Sequence, residues 1–372
     1  VSQHRVIVIG SGIAGAGAAF ALARRGAAVT IVDSARVGQA TAASAGIISP
    51  WASTVEGPFY DLYAAGAAYY PELIELLGEA GITRTDYRRT GALLVSTDET
   101  RLGEALSRVE TRARTAGPIV GSVERIGNAE VRELFPVLSP ELEGVFVSGG
   151  GRVDGRTLRD ALLAAAHHHG AVTLAAEARL RGRLTGGDAA AVVVEADGET
   201  LEADEVVVAA GAWANHVLEP LGLRLPVEPQ RGQITHLRLE GVDTSRWPSV
   251  HPLSHHYMVA FDDSRVAVGA TRETGSGFDP RVTARGQWEV LSDALRIAPG
   301  LADATLIETR VGLRPLPEGN LPVVGRMPTV SGLSVIAGFG AAGLTMAPFT
   351  GNALARILLE SGQAPELAPF AP

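Results

Sequence analysis

The stretch that decides the fold runs from Arg5 to Asp33 and reads RVIVIGSGIAGAGAAFALARRGAAVTIVD. Val6-Ile7-Val8-Ile9 is a short β-branched run without polar interruption, the pattern of a parallel strand buried on both faces. Gly10, Gly12 and Gly15 follow in the spacing G-x-G-x-x-G, small residues continue at helical spacing to Ala23, and Gly26 ends the helix. Val29 to Val32 is a second apolar strand with Asp33 at its end. In this arrangement the first glycine permits a tight turn, the second lets a pyrophosphate approach the backbone, and the third packs helix on strand. The helix start then offers free N–H groups and a partial positive charge to phosphate oxygens. Asp33 is placed to bond both hydroxyls of an adenosine ribose, and its charge would repel a 2′-phosphate. Glycines in this spacing are weak evidence alone; the strand before, the helix after and the acid at the right distance make the dinucleotide reading specific.

The rest of the composition excludes several chemistries. The chain has 372 residues, enough for two domains around a large core. A net charge of -9 argues against nucleic acid or an anionic membrane as the main partner. There is no cysteine, so disulfides, thiolate metal sites and a cysteinyl-linked flavin are impossible. There is no lysine either, which rules out a Walker-type phosphate lysine and a pyridoxal Schiff base. The first strand lies close to the start of the sequence, and no uninterrupted apolar run is long enough to span lipid. The expectation is a cytoplasmic protein with no integral membrane segment; peripheral membrane association stays open.

After Asp33 and Ser34 comes a loop of small and hydroxyl residues, in which Thr41 and Ser44 can meet a phosphate or a ring. Phe59 to Leu77 is predicted helical, with a possible restart at Pro71, and its aromatics Phe59, Tyr63 and Tyr70 read as core. Gly91 to Ser96 is predicted as a strand and Arg101 to Ala116 as a surface helix. Asp154 and Thr157 can cap a helix from Leu158 to His169. His167, His168 and His169 are consecutive, which is not metal-ligand spacing on a helix; no metal site is expected. Val172 to Ala175 reads as a strand, Ala178 to Val194 as a hairpin about Gly186-Gly187, and Glu205 to Val208 as a buried strand followed by Ala209, Ala210, Gly211, Ala212 and Trp213. Val227 to Glu240, Tyr257 to Phe261 and Arg265 to Thr271 read as antiparallel strands, followed by a helix from Arg285 to Ile297. Leu333 to Ala337 is a further strand. It leads through the glycine-rich Gly338 to Gly343 into a helix expected from Pro348 to Leu359, with Pro348 in its first turn. The start of that helix is a second possible anion site.

The ordered set of motifs VIVIGSGIAGAGAAFALARRGAAVTIVD, SAGIISP, DGRTLRDAL, VVVAAGAWA, PQRGQI, VGLRPLPEGNLPVVG and GFGAAGLTMAPFTG resembles the D-amino-acid oxidase, glycine oxidase and sarcosine oxidase superfamily of FAD enzymes over essentially the whole chain. Glycine oxidases and bacterial D-amino-acid dehydrogenases are the members it resembles most. The resemblance implies an α/β fold with a discontinuous, Rossmann-like FAD-binding domain (1–85, 143–225 and 305–372) and an α+β substrate domain on an antiparallel sheet (86–142 and 226–304). It implies that Gly10, Gly12, Ile13, Ala14, Gly15, Asp33 and Ser34 hold the ADP half. Thr41, Ser44, Ala45, Gly46 and Ile47 would line the pyrophosphate and flavin, and Leu180 would meet adenine through its backbone. Ala210, Gly211, Trp213 and Gly312 would run beside the cofactor. Gly338, Gly340, Ala341, Ala342, Gly343, Leu344 and Thr345 would cover the flavin's pyrimidine edge.

For substrate, Arg314 matches the family's carboxylate-binding arginine, whose planar fork suits a bidentate pair. Tyr257 matches a tyrosine facing substrate in glycine oxidases. Trp51, His251, His255 and His256 are further candidates for the pocket wall. Two departures matter. Glycine oxidases carry a second arginine where Ala341 and Ala342 stand here, so this pocket loses a charge and gains room. Sarcosine oxidases hold FAD by a cysteine and use a lysine toward oxygen; neither residue type occurs, which implies non-covalent FAD. The activity implied is oxidation of an amino acid, most simply a D-amino acid, by hydride transfer from Cα to flavin N5, giving an imine and then a 2-oxo acid and ammonia. A secondary amino acid (sarcosine- or proline-type) oxidase or dehydrogenase shares every motif. A 2-hydroxy-acid dehydrogenase and an accessory electron-transfer flavoprotein subunit are the alternatives from other classes. The expected partners are a small amino-acid substrate and O2, a quinone or another electron acceptor, with a homo-oligomer possible.

Overall fold

Val6 to Ile9 fall in the middle of a six-stranded sheet, as their unbroken apolar run requires. The computed structural model describes residues 3–184, 190–360 and 362–372. The strand order is Val323–Arg326, Leu333–Ala337, Glu205–Val208, Arg5–Ile9, Ala28–Val32, Val172–Leu174. All neighbours are parallel except the first pair. The helix Ile13–Arg24 covers one face, packed against the helices Gly155–His168 and Gly343–Leu359. Asp154 caps the second of these, accepting from the N–H groups of Arg156 (3.0 Å) and Thr157 (3.1 Å). Gly15 is fixed by this packing: a Cβ there would overlap the carbonyl of Gly10.

The second sheet has nine strands in the order Glu273–Thr274, Val227–Arg238, Arg265–Gly269, Tyr257–Ala260, Ser249–His251, Ala92–Ser96, Glu143–Val147, Val123–Ile126, with Thr305–Pro317 also paired to Val227–Arg238. It is antiparallel apart from the parallel pair Ser249–His251 and Ala92–Ser96. Glu143–Val147 and Thr305–Pro317 belong to this sheet, although the expected segment boundaries put both with the nucleotide unit. Thr305–Pro317 is held there by a long ladder with Val227–Arg238, from Val227 opposite Pro317 to Arg238 opposite Thr305, and Glu143–Val147 by pairing with Ala92–Ser96 on one side and Val123–Ile126 on the other. The strands Ala178–Leu184, Ala190–Ala196 and Glu199–Leu201 make a separate antiparallel sheet; the expected turn at Gly186-Gly187 lies outside the described residues.

Two helix expectations are corrected. Gly57–Glu79 is one helix that passes through Pro71 without restarting. The last helix begins at Gly343, not at Pro348. Pro348 cannot supply the N–H that would bond the Leu344 carbonyl. The Tyr70 hydroxyl donates to that carbonyl instead, at 2.6 Å, so the proline is tolerated inside the helix.

Candidate active site

A cavity of about 1100 Å³ opens at the C-terminal ends of the first sheet's parallel strands and runs to the face of the second sheet. At one end it is built from backbone. The helix Ile13–Arg24 starts at this wall with no side-chain cap at Gly12. A Cβ on Gly12 would meet only Thr41 Oγ1, at 3.4 Å. Thr41 Oγ1 also accepts from the Ile13 N–H at 3.0 Å and so ties the small-residue loop to this turn. Asp33 Oδ2 accepts from the Ser11 N–H (2.5 Å) and hydroxyl (2.7 Å), and Oδ1 from the Ala35 N–H (2.5 Å). The acid therefore braces the glycine turn while lining the cavity. The helix Gly343–Leu359, packed beside it, brings its uncapped start to the same space, with Gly343 next to Ile13. Two helix starts, backbone-lined walls and an acid beside the first turn suit a dinucleotide with one pyrophosphate.

Most expected site residues line this cavity. They are Gly10, Gly12, Ile13, Ala14, Asp33, Ser34, Thr41, Ser44, Ala45, Gly46, Ile47, Ala210, Gly211, Trp213, Gly312, Gly340, Ala341, Ala342, Gly343, Leu344 and Thr345 on the cofactor side, with Tyr257, Arg314, His251, His255 and His256 at the other end. Four do not. Gly15 lies beneath the turn. Gly338 packs against Pro317, Pro322 and Val227. Leu180 is buried in the cluster with Ile9, Val32 and Val206, and Ala176, Glu177 and Ala178 form the cavity wall at that end instead. Trp51 is a core residue, 1% exposed. Arg112 explains its position. That guanidinium gathers the carbonyls of Pro50 (3.2 Å), Trp51 (3.1 Å), Ser53 (2.5 Å) and Val55 (2.5 Å), which turns the loop and sends the indole inward. Phe59 and Tyr63, read as core, line the cavity. Burial pushes the Tyr63 phenol up to about 12.

At the far end the walls are side chains carried by strand termini. Arg314 stands opposite Gln230 on the long antiparallel ladder. Its Nη1 donates to the Thr271 carbonyl at 2.9 Å, and its guanidinium lies flat over Gly232, where a Cβ would come within 2.5 Å of Cζ. Gly232 lies in the PQRGQI motif, and its function is to make room for Arg314. Among the described residues Arg314 has no carboxylate partner. Tyr257 faces it; burial raises the phenol's pKa, against the opposing pull of Arg314, so the hydroxyl keeps its proton. His251 bonds Ser249 Oγ at 3.0 Å and is pulled down to about 4 by burial, which keeps it neutral at pH 7. His256 is paired to Asp293 at 2.7 Å. Arg272 also lines this end, and nothing in the sequence reading singled it out.

Known proteins share this chain's sequence and fold. The family model described as FAD dependent oxidoreductase matches residues 5–357. An uncharacterized oxidoreductase of Bacillus subtilis is 44% identical, covering 98% of each chain. A glycine oxidase of Pseudomonas aeruginosa is 31% identical, covering 100% of this chain and 99% of its own. The crystal structure of an iminodiacetate oxidase from a Chelativorans species superposes with a TM-score of 0.94 at 49% identity, covering 99% of both chains.

Proposed function

Because the chain belongs to the family of FAD-dependent oxidoreductases, we propose that it oxidises a small amino acid at its C–N bond, with Arg314 holding the carboxylate. The observation that carries the reading is this arginine. It faces a cavity open to the dinucleotide end, lies over a glycine, and has no acid of the protein's own among the described residues. Bound FAD supplies the two-electron acceptor for the hydride that leaves the substrate carbon. Arg314 and the protonated Tyr257 fix the carboxylate and with it the orientation of Cα. His251 and Tyr257 stay neutral at pH 7, so neither adds a negative charge beside Arg314 that would favour a protonated amine. The chain's contribution is positioning and exclusion of water, and the amine binds in its neutral form. The electrons then pass to dioxygen or a quinone-type acceptor.

The D-amino-acid and secondary-amine readings use the same contacts. The secondary-amine reading has the stronger support, since iminodiacetate, named for the 49%-identical neighbour, is a secondary amine. Product analysis separates them. The holoenzyme is incubated with D-alanine, glycine, sarcosine, iminodiacetate and lactate, and 2-oxo acid, ammonia and primary amine are quantified. The expected outcome is a 2-oxo acid with a primary amine from the N-substituted substrates. Ammonia from D-alanine as the dominant product would favour the D-amino-acid reading. Turnover of lactate alone, or of nothing, would overturn amine oxidation.

A further inference from the structure

The wall that holds Arg314 carries more positive charge than its neighbours neutralise. Arg231 is matched twice, by Glu273 at 2.6 Å and Asp279 at 2.7 Å. The other oxygen of Glu273 accepts from the Gln233 amide and the Thr271 hydroxyl, both at 2.7 Å. Thr271 and Glu273 therefore turn to one side, and alternation along extended chain sends Arg272 to the other, into the cavity. Arg314 donates to the carbonyl of Thr271, the residue directly before Arg272, so both arginines leave the same stretch of wall, and both charges reach the Tyr257 phenol. Tyr257 lines the same end. Neither Arg272 nor Arg314 has a carboxylate partner among the described residues. Arg272 is exposed to the open cavity; desolvation at the wall and the charge of Arg314 both push its pKa down. A ligand bearing two carboxylates would relieve that repulsion at both ends.

We propose that Arg272 and Arg314 form a two-carboxylate receptor, which selects secondary amines carrying a carboxylate on each side of the nitrogen: the N-carboxymethyl amino acids, iminodiacetate being the smallest. The inference rests on the amine-oxidation reading and adds the specificity-determining residue. The carboxylate on Arg314 belongs to the carbon that is oxidised. That carbon loses a hydride, whose electron pair goes to bound FAD and then to dioxygen or another acceptor, and the nitrogen loses a proton. A C=N bond forms, water adds across it, and the C–N bond breaks. The products are glyoxylate, with its aldehyde oxygen from water, and a primary amino acid whose carboxylate stayed on Arg272. The arginine absent from Ala341 and Ala342 is thus replaced by one entering from another strand end.

The test uses the holoenzyme and two ligands that cannot be oxidised as amines. Thiodiacetate keeps both carboxylates with sulfur in place of nitrogen; (methylthio)acetate keeps one. Calorimetry is expected to give roughly tenfold to hundredfold tighter binding of thiodiacetate, the worth of one charge-assisted contact. Arg272→Met should remove most of that difference, and Arg272→Lys should keep part of it. The ratio of kcat/KM for iminodiacetate over sarcosine should fall by a similar factor in Arg272→Met. Equal binding of the two ligands by the wild type, or an equal loss for both in Arg272→Met, would overturn the receptor. Wild-type reduction by sarcosine as readily as by iminodiacetate would also sink it while leaving amine oxidation standing. Failure of every amine to reduce the flavin would instead sink the reading beneath it.

Discussion

The two ends of the cavity are made of different material. The dinucleotide end is backbone: two helix starts, a glycine turn and a loop of small residues held by Thr41 and Asp33. The substrate end is side chain: Tyr257, Arg272 and Arg314, delivered by separate strands of the nine-stranded sheet or the turns that follow them. A site built from backbone needs particular spacings of glycine within one local stretch. A site built from long side chains needs only that sheet register bring their tips together, and the residues can be far apart in sequence. Damage at the first end should therefore remove the cofactor, and damage at the second should leave the cofactor and change what reacts with it.

The largest effect should come from Gly15→Val. Its side chain would overlap the Gly10 carbonyl, and overpacking of that kind costs about 3 kcal/mol or more. The purified variant should be colourless, read as the ratio of flavin to protein absorbance. A yellow variant would break the claim that the turn leaves no room for a side chain at Gly15. Arg314→Ala comes next. It should purify with flavin and lose roughly 10- to 150-fold in kcat/KM for a carboxylate substrate, the worth of a charge-assisted hydrogen bond. Loss of flavin from this variant would erase the contrast between the two ends. Gly232→Ala should act through Arg314, since the new methyl displaces the guanidinium that lies over it. A fall of about tenfold in kcat/KM, with flavin retained, is expected from a displacement of this kind. The effect farthest from catalysis is on stability against pH. His236 and His251, both in the nine-stranded sheet, are held down to about 3 and about 4 by burial. As pH falls below about 6.5 the unfolded chain takes up those protons before the folded one does, so stability present at pH 7 is lost toward pH 4. The slope is at most about 1.4 kcal/mol per pH unit for each histidine. Thermal melts at pH 7 and pH 5 should show the drop, and His236→Gln should flatten it.

The same division governs what could be read from the sequence. Arg5 to Asp33 was legible in full because strand, turn, helix and acid follow one another within a single stretch. Arg314 was legible only through its motif. Arg272 was invisible: it follows the strand predicted to end at Thr271 and belongs to none of the motifs. Its meaning depends on Glu273 being committed to Arg231 and on Thr271 receiving Arg314, and both partners lie on strands distant in sequence. Trp51 was misplaced because the residue that turns its loop, Arg112, comes sixty-odd positions later. Pro348 was taken for a helix start because its missing N–H is harmless there. The donor that replaces it, the Tyr70 hydroxyl, lies 274 residues before the Leu344 carbonyl it bonds. Leu180 is matched to adenine through its backbone; its side chain sits in the core, and residues 176–178 line the cavity at that end.

One spectrum would test the central claim, that a side-chain-built carboxylate site faces a backbone-built FAD site. The purified holoenzyme is sealed from air and iminodiacetate is added while absorbance near the flavin maximum is followed, with wild type and Arg314→Ala side by side. Both proteins should begin yellow, and the wild type should bleach at concentrations at which the variant does not. Wild type and variant bleaching alike, or a wild type that stays yellow with iminodiacetate, sarcosine and D-alanine in turn, would contradict it.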